Sequence, residues 1–270
     1  MRVSPTNKGY TATRQNPESL IVTPLYDEYL AQHPEPVYDP MIVAKVMAEL
    51  IKQPRNRSKS FSASSAGLCK RRQELAFLGV GVPIAHDPRG VRIFNNGTFV
   101  HLRWQLGLLS AGIITETEVL THMSGGLFRA SLDGVGVALQ GRYKGTPFIW
   151  EHKGRMSFSY AAQERNGIPD AKTMSQVRMQ QYLSGYELAS ITNENKDTQH
   201  VKEFVVEWDD GEIRNAKNEL EELAQAIDRG RLHPMLPECV KQNKSGEFFK
   251  CPFGGPLGPC IYSGTWPRTT

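Results

Sequence analysis

The sequence predicts an α/β (α+β) protein with a central mixed sheet flanked by helices. Three observations predict it. Apolar residues recur at helical spacing in segments near the start, the middle and the end of the chain. Between residues 116 and 153 the pattern changes to short runs rich in Val, Ile, Leu, Phe and Trp, parted by glycine-rich turns, as an antiparallel meander requires. A helical pattern then returns before another strand-like run, and a helix placed between strands implies a mixed sheet.

Taken in order, residues 1–38 read as irregular, punctuated by Pro5, Pro17, Pro24, Pro34 and Pro36. Asp39 and Pro40 supply an N-cap and a proline at the first helical position. Ile42, Val43, Val46, Met47, Leu50 and Ile51 then hold helical spacing through 41–51. The basic link 52–60, with Arg55, Arg57 and Lys59, reads equally well as a solvated linker or as a DNA contact. Serine-rich 62–65 opens a second helix, which carries Cys69, Arg71 and Arg72 to about residue 78 and is stopped by Gly79 and Gly81. A third helix starts near Asn95 and covers 99–109, with His101 on it. Strands are expected over 116–122, 127–139 and 147–153, with turns at 124–126 and 141–145. The polar stretch 155–172 reads as a flexible loop. Next come a helix over 175–191, a strand over 201–208 and a charged helix over 211–229. We divide the chain into an N-terminal segment, 1–60, and a main domain, 61–270.

A chain of 270 residues can bury a sizeable core. No apolar run reaches the ~18 residues needed to span a bilayer, and the first residues lack an apolar signal core. We therefore expect no membrane partner, no secretion and a cytoplasmic protein. The net charge of +4 permits nucleic acid as a partner without demanding it. Disulfides are not expected among Cys69, Cys239, Cys251 and Cys260 in a cytosolic chain. Three of the four fall in the last 32 residues, in a Gly- and Pro-rich tail, which suits a metal or iron–sulfur site; four unrelated buried thiols are the alternative.

The chemistry gathers around residues 148–154. Glu151 and Lys153 are two apart, so on a strand both leave from one face. They form either an ordinary ion pair or a site for a metal ion and an anionic substrate. Asp133 precedes them by one hairpin, so neighbouring strands can bring the two carboxylates together, and His101 precedes both on a helix. Two carboxylates and an imidazole suit Mg²⁺ or Mn²⁺, with the backbone carbonyl of His152 as a further oxygen donor. Such an ion polarises a phosphate and activates water, and Lys153 can stabilise the charge that develops. The His152 ring alternates to the opposite face and is expected to pack. Arg71 and Arg72 are candidate phosphate contacts. Trp104 and Trp208 read as core or edge aromatics.

The order Gly97-x-x-x-His101, Ser131-Leu-Asp133-Gly134 and Ile149-Trp-Glu151-His-Lys153 resembles the PD-(D/E)xK nucleases of the RecB type. Ser64-Ser65-x-x-x-Cys69-x-Arg71-Arg72 with three late cysteines is similar to their iron–sulfur branch, which includes the Cas-four CRISPR-associated nucleases and phage-encoded exonucleases. The resemblance spans about residues 60–262. It implies a restriction-endonuclease-like core, with metal ligands at His101, Asp133 and Glu151 and a catalytic lysine at Lys153. It also implies a four-iron four-sulfur cluster on Cys69, Cys239, Cys251 and Cys260, with structural Zn²⁺ as the alternative. The family's late cysteines sit closer together; here eleven residues part Cys239 from Cys251 and eight part Cys251 from Cys260. The family's Gln-x-x-x-Tyr helix motif is imperfect here, since Arg178 stands four before Tyr182; by that motif Gln180, Gln181 and Tyr182 fall near a DNA path. The activity implied is that of a metal-dependent DNA exonuclease, phage-encoded, working on DNA ends or single strands in recombination, replication or processing. The alternative is a nuclease-fold DNA-binding or CRISPR-adaptation adaptor protein with little cleavage.

Overall fold

The computed structural model describes residues 17–51, 59–80, 88–236 and Cys260. Within them lie seven α-helices and six strands. The helices are α1 (Thr23–Gln32), α2 (Pro40–Ile51), α3 (Lys70–Phe77), α4 (Pro88–Ser110), α5 (Ser157–Asn166), α6 (Ala171–Ser184) and α7 (Asp210–Asp228). The strands are β1 (Phe61–Ser62), β2 (Glu116–Met123), β3 (Phe128–Val137), β4 (Pro147–Arg155), β5 (Leu188–Asn195) and β6 (Val201–Glu207). All six form one mixed sheet flanked by helices, as predicted. No helix among the described residues is long and apolar enough to cross a membrane.

The pairing explains where a cleft opens. One edge of β3 is taken by antiparallel β2, from Glu116↔Val135 to Met123↔Phe128. The other edge is shared. Parallel β1 takes Phe128 and Arg129, and antiparallel β4 takes Gly134 to Val137. Residues 130–133 lie between these two partners, so along them the described sheet is split on one side. The side-chain alternation also slips there. Phe128, Ala130, Leu132 and then Val135 all enter one core cluster, which strict alternation forbids. The slip is centred on Asp133. Glu118, opposite it in the β2 register, has a left-handed φ of 51°, a conformation that costs an L-residue roughly 1–2 kcal/mol.

Two cores sandwich the sheet. On one face Ile149, Leu132 and Ile191 pack with Met174, Val177 and Met179 of α6 and Leu220 and Leu223 of α7. On the other, Phe148 and Trp150 pack with Tyr26 of α1 and with Trp104 and Leu108 of α4. Alternation along β4 thus sends Ile149 and Glu151 toward α6 and sends Phe148, Trp150 and His152 toward α4.

Four expectations are corrected. Residues 23–32, expected irregular, form α1: Pro24 occupies its first turn, and the buried Glu203 of β6 accepts hydrogen bonds from the amides of Ile21, Val22 and Thr23. The serine stretch 62–65 is the end of β1 and a single 3-10 turn, and the helix beyond it begins at Lys70. The expected loop 155–172 contains α5, ended by Gly167 in the left-handed region at φ 68°. The helix expected to reach 191 stops at Ser184, where Gly185 takes φ 78°. The chain then enters β5, in parallel register with β4 and buried at every position. A strand covered on both faces shows no alternation. In β5 its polar residues are instead satisfied: Ser190 donates to Glu203, and Thr192 accepts from the indole of Trp150.

Candidate active site

Asp133, Glu151 and Lys153 meet at the split in the sheet. The Lys153 ammonium lies 2.5 Å from Glu151 Oε1 and donates to Gln176 Oε1 at 3.2 Å. Gln176 and Gln180 stand four apart on α6, hence on one helix face. Their amides donate to the two oxygens of Glu151, at 2.8 Å and 2.7 Å. Glu151 is completely buried. Gln180 also donates to the Ser131 carbonyl at 3.2 Å, a backbone acceptor in the unpaired stretch of β3.

Asp133 is held differently. Its Oδ2 accepts the His152 amide at 2.8 Å, and His101 Nδ1 of α4 stands 3.5 Å from the same oxygen. Among the described residues Oδ1 has no donor. Burial and the nearby Glu151 carboxylate push the Asp133 carboxyl well above its usual range, against the pull of Lys153 and the His152 amide. Lys153 is affected in the reverse sense: burial opposes its charge, but Glu151 and Asp133 outweigh it and raise its pKa. Burial lowers the His101 pKa, aided by Lys153 and Lys196. The resting site thus holds one ammonium for two close carboxylates.

His101 and His152 are ordered from behind. The His152 ring is fully buried on the α4 face, its Nδ1 3.0 Å from the Thr192 hydroxyl, and it meets the His101 ring edge-on at 5.3 Å. Arg103 and Trp104 of α4 both donate to buried Glu194 of β5, at 2.5 Å and 2.8 Å. Gln105 donates to the Asp133 carbonyl at 3.0 Å and to Glu118 at 3.1 Å. These bonds clamp α4 to the sheet and set where His101 stands.

Two grooves open from the site and share Asp133 and Lys153. The first, about 520 Å³, is lined by Ser62, Ser64, His122, Arg129, Lys172 and Gln176 among others. The second, about 590 Å³, runs past Thr98, His101, Glu118 and Lys196. Arg129, Lys153 and Lys172 bring three cations to the first groove, and burial and the charges of Lys153, Arg72 and Arg155 lower the Lys172 pKa.

Several residues assigned to DNA contact are placed otherwise. Arg71 is buried and donates to the His233 carbonyl at 2.8 Å and the Cys260 carbonyl at 3.1 Å, so it ties two late segments to α3. Gln180 serves Glu151. Gln181 is fully buried and donates to the Glu187 carbonyl at 3.2 Å. Tyr182 packs against the α6-side core. Arg72 stays half-exposed, beside Lys172. Sequence reasoning missed the part played by Gln176, Gln105 and Glu118; the four-residue spacing of Gln176 and Gln180 was the available signal.

Cys69 caps the start of α3, and Cys260 is buried against Leu75 of the same helix. Cys239 and Cys251 lie outside the described residues. Among the described residues no three His, Cys, Asp or Glu side chains form a preassembled metal-ligand group. The donor chemistry at the site nevertheless fits a hard divalent cation. Among the described residues Asp133 keeps an oxygen without a donor, Glu151 Oε2 accepts only Gln180, and one ammonium faces the two carboxyl groups.

No family model matches the chain, and no curated protein matches it. Among solved structures it is similar to LHK-Exo, an alkaline exonuclease from Laribacter hongkongensis. In the complex of LHK-Exo with dAMP, identity is 18%, with 64% of this chain and 90% of that chain covered, at a TM-score of 0.46. It is also similar to SSO0001, at 17% identity over 82% of this chain and 93% of that one, with a TM-score of 0.45.

Proposed function

We propose that this chain is a divalent-metal-dependent deoxyribonuclease, an exonuclease acting on DNA ends or single strands. The observation that carries the reading is the meeting of Asp133, Glu151 and Lys153 where two open grooves join, with one carboxylate left short of donors. His101, Asp133, Glu151 and the His152 carbonyl would hold Mg²⁺ or Mn²⁺, which would supply Lewis acidity toward a phosphate and activate the attacking water. The chain's own groups do the rest. Glu151 and Asp133 keep Lys153 protonated, so its ammonium offsets charge growing on the phosphate. Gln176 fixes both Lys153 and Glu151. Ser62, Ser64 and Lys172 offer hydroxyl and ammonium donors to phosphate oxygens in the first groove.

The resemblance in sequence extends this reading to a phage-encoded enzyme of DNA recombination, replication or processing in the cytoplasm. It extends it also to a four-iron four-sulfur cluster, or Zn²⁺, on the four cysteines. Cys69 stands at the start of α3 and Cys260 packs against Leu75 of that helix, which supports an arrangement that fastens the tail to α3. A cluster predicts brown protein with broad visible absorbance and bound iron, whereas colourless protein with zinc replaces it by a zinc site.

The test of the activity is incubation with 5′- and 3′-labelled single- and double-stranded DNA, with Mn²⁺ or Mg²⁺ and with chelator. Metal-dependent release of nucleotides from ends is expected. Intact DNA with retained binding favours the adaptor reading.

A further inference from the structure

The second groove contains a cation that the proposed chemistry leaves unused. Lys196 comes directly after β5, and its backbone is fixed on both sides. Its amide donates to the Arg155 carbonyl at 2.8 Å, and its carbonyl accepts the Gln199 side-chain amide at 3.1 Å. Gln199 in turn accepts from Arg103 of α4 at 2.9 Å. The aliphatic stem crosses Gly154, the residue after Lys153. A Cβ at position 154 would stand 2.5 Å from Lys196 Cε and 3.5 Å from its Nζ, so only glycine leaves the stem this path. Among the described residues no carboxylate lies within ion-pair distance of the Lys196 ammonium. The group lines the groove with Thr98, His101 and Asp133. Its field lowers the pKa of both His101 and His152, after the larger effect of burial.

An ammonium held at a groove wall without a carboxylate partner is a site for an anion, and the groove begins at the residues proposed to meet the scissile phosphate. We propose that Lys196 is a substrate-positioning residue that binds the backbone phosphate next to the one cleaved, on the side of the second groove. The proposal rests on the nuclease reading. The chemistry favours a polynucleotide, since one strand carries a regular series of phosphates that Lys153 and Lys196 can meet in succession. A strand entering one groove and leaving by the other then passes Lys172, Lys153 and Lys196 in turn. Gly154 is explained by the same path, because any side chain there would push the lysine aside.

The test compares wild type, Lys196→Gln and Lys196→Arg. In chelator, binding of a fluorescent single-stranded oligodeoxynucleotide is followed by anisotropy over a salt series. Lys196→Gln is expected to bind about three- to tenfold more weakly, and its log–log salt slope to fall by about one, the signature of one lost phosphate contact. Lys196→Arg is expected to keep the wild-type slope. In Mn²⁺, Lys196→Gln raises KM for the oligonucleotide more than it lowers kcat. Thermal melting confirms that the variants fold. Equal affinity and slope for wild type and Lys196→Gln overturn the proposal, as does equal weakening by Gln and Arg, which would make the effect one of shape. Absence of cleavage by wild type overturns the nuclease reading, and it is read separately from the binding arm.

Discussion

Glu203 and Asp133 are acids of the same sheet, three strands apart, the first buried and the second partly exposed to the grooves. Glu203 accepts from three successive backbone amides, Ile21, Val22 and Thr23, and from the hydroxyls of Thr23 and Ser190. It stands at the N-terminus of α1, where amide groups and the helix dipole favour negative charge. Asp133 has one amide, a histidine at 3.5 Å and a second carboxylate for a neighbour. One acid is saturated and holds the fold; the other is starved and open to a groove. A carboxylate with too few donors, pressed against a second one, costs stability, so it marks a place where something else is to be bound.

The sharpest way to break this contrast is to neutralise each acid. Asp133→Asn should lower metal-dependent cleavage by about a thousandfold while leaving the melting temperature unchanged or raised, since it removes a carboxylate repelled by Glu151. Glu203→Gln should do the opposite. An amide NH₂ would face backbone N–H groups, and stability should fall by about 3 kcal/mol in chemical denaturation while each folded molecule cleaves normally. A Glu203 variant that loses activity with full stability would erase the distinction.

Between these extremes stands Gln180, which holds Glu151 without reaching solvent. Gln180→Leu should reduce kcat about 10- to 100-fold, with little change in KM, as expected for a group that orients a metal ligand. The smallest effect concerns Asp170, the N-cap of α6, which accepts from the Thr173 amide at 3.0 Å and from Arg155 at 2.5 Å. Asp170→Ala should cost about 1 kcal/mol. Burial opposes the ionised form of Asp170, but Arg155 and Thr173 outweigh it and hold the carboxyl below its ordinary value. A carboxyl depressed in the folded state stabilises above its unfolded pKa, and that contribution is lost as pH falls through the folded value. The gap in stability between wild type and Asp170→Ala should therefore close in acid.

Lys153 and Glu151 were legible in the sequence because strand periodicity alone puts them on one face. Asp133 was legible as the acid one hairpin earlier, and the helix carrying His101 does come to it. What hid was long-range. β5 carries polar residues whose partners lie on other elements, so its first residues, 188–191, read as the end of a helix. α1 depends on Glu203, about 180 residues away, and no local pattern announces such a cap. Arg71 looked like a surface cation because its acceptors, the carbonyls of His233 and Cys260, come from the far end of the chain. The slip at Asp133 and the left-handed Glu118 are equally silent in sequence, since an acidic residue gives no sign of a positive φ.

Whether the starved carboxylate takes a cation decides what the site does. Titration of Mn²⁺ into wild type and Asp133→Asn, monitored by electron paramagnetic resonance of the free ion, measures that directly. The expected result is binding by wild type that Asp133→Asn loses while Glu203→Gln retains it. Equal Mn²⁺ binding by wild type and Asp133→Asn, or none by wild type, would contradict it.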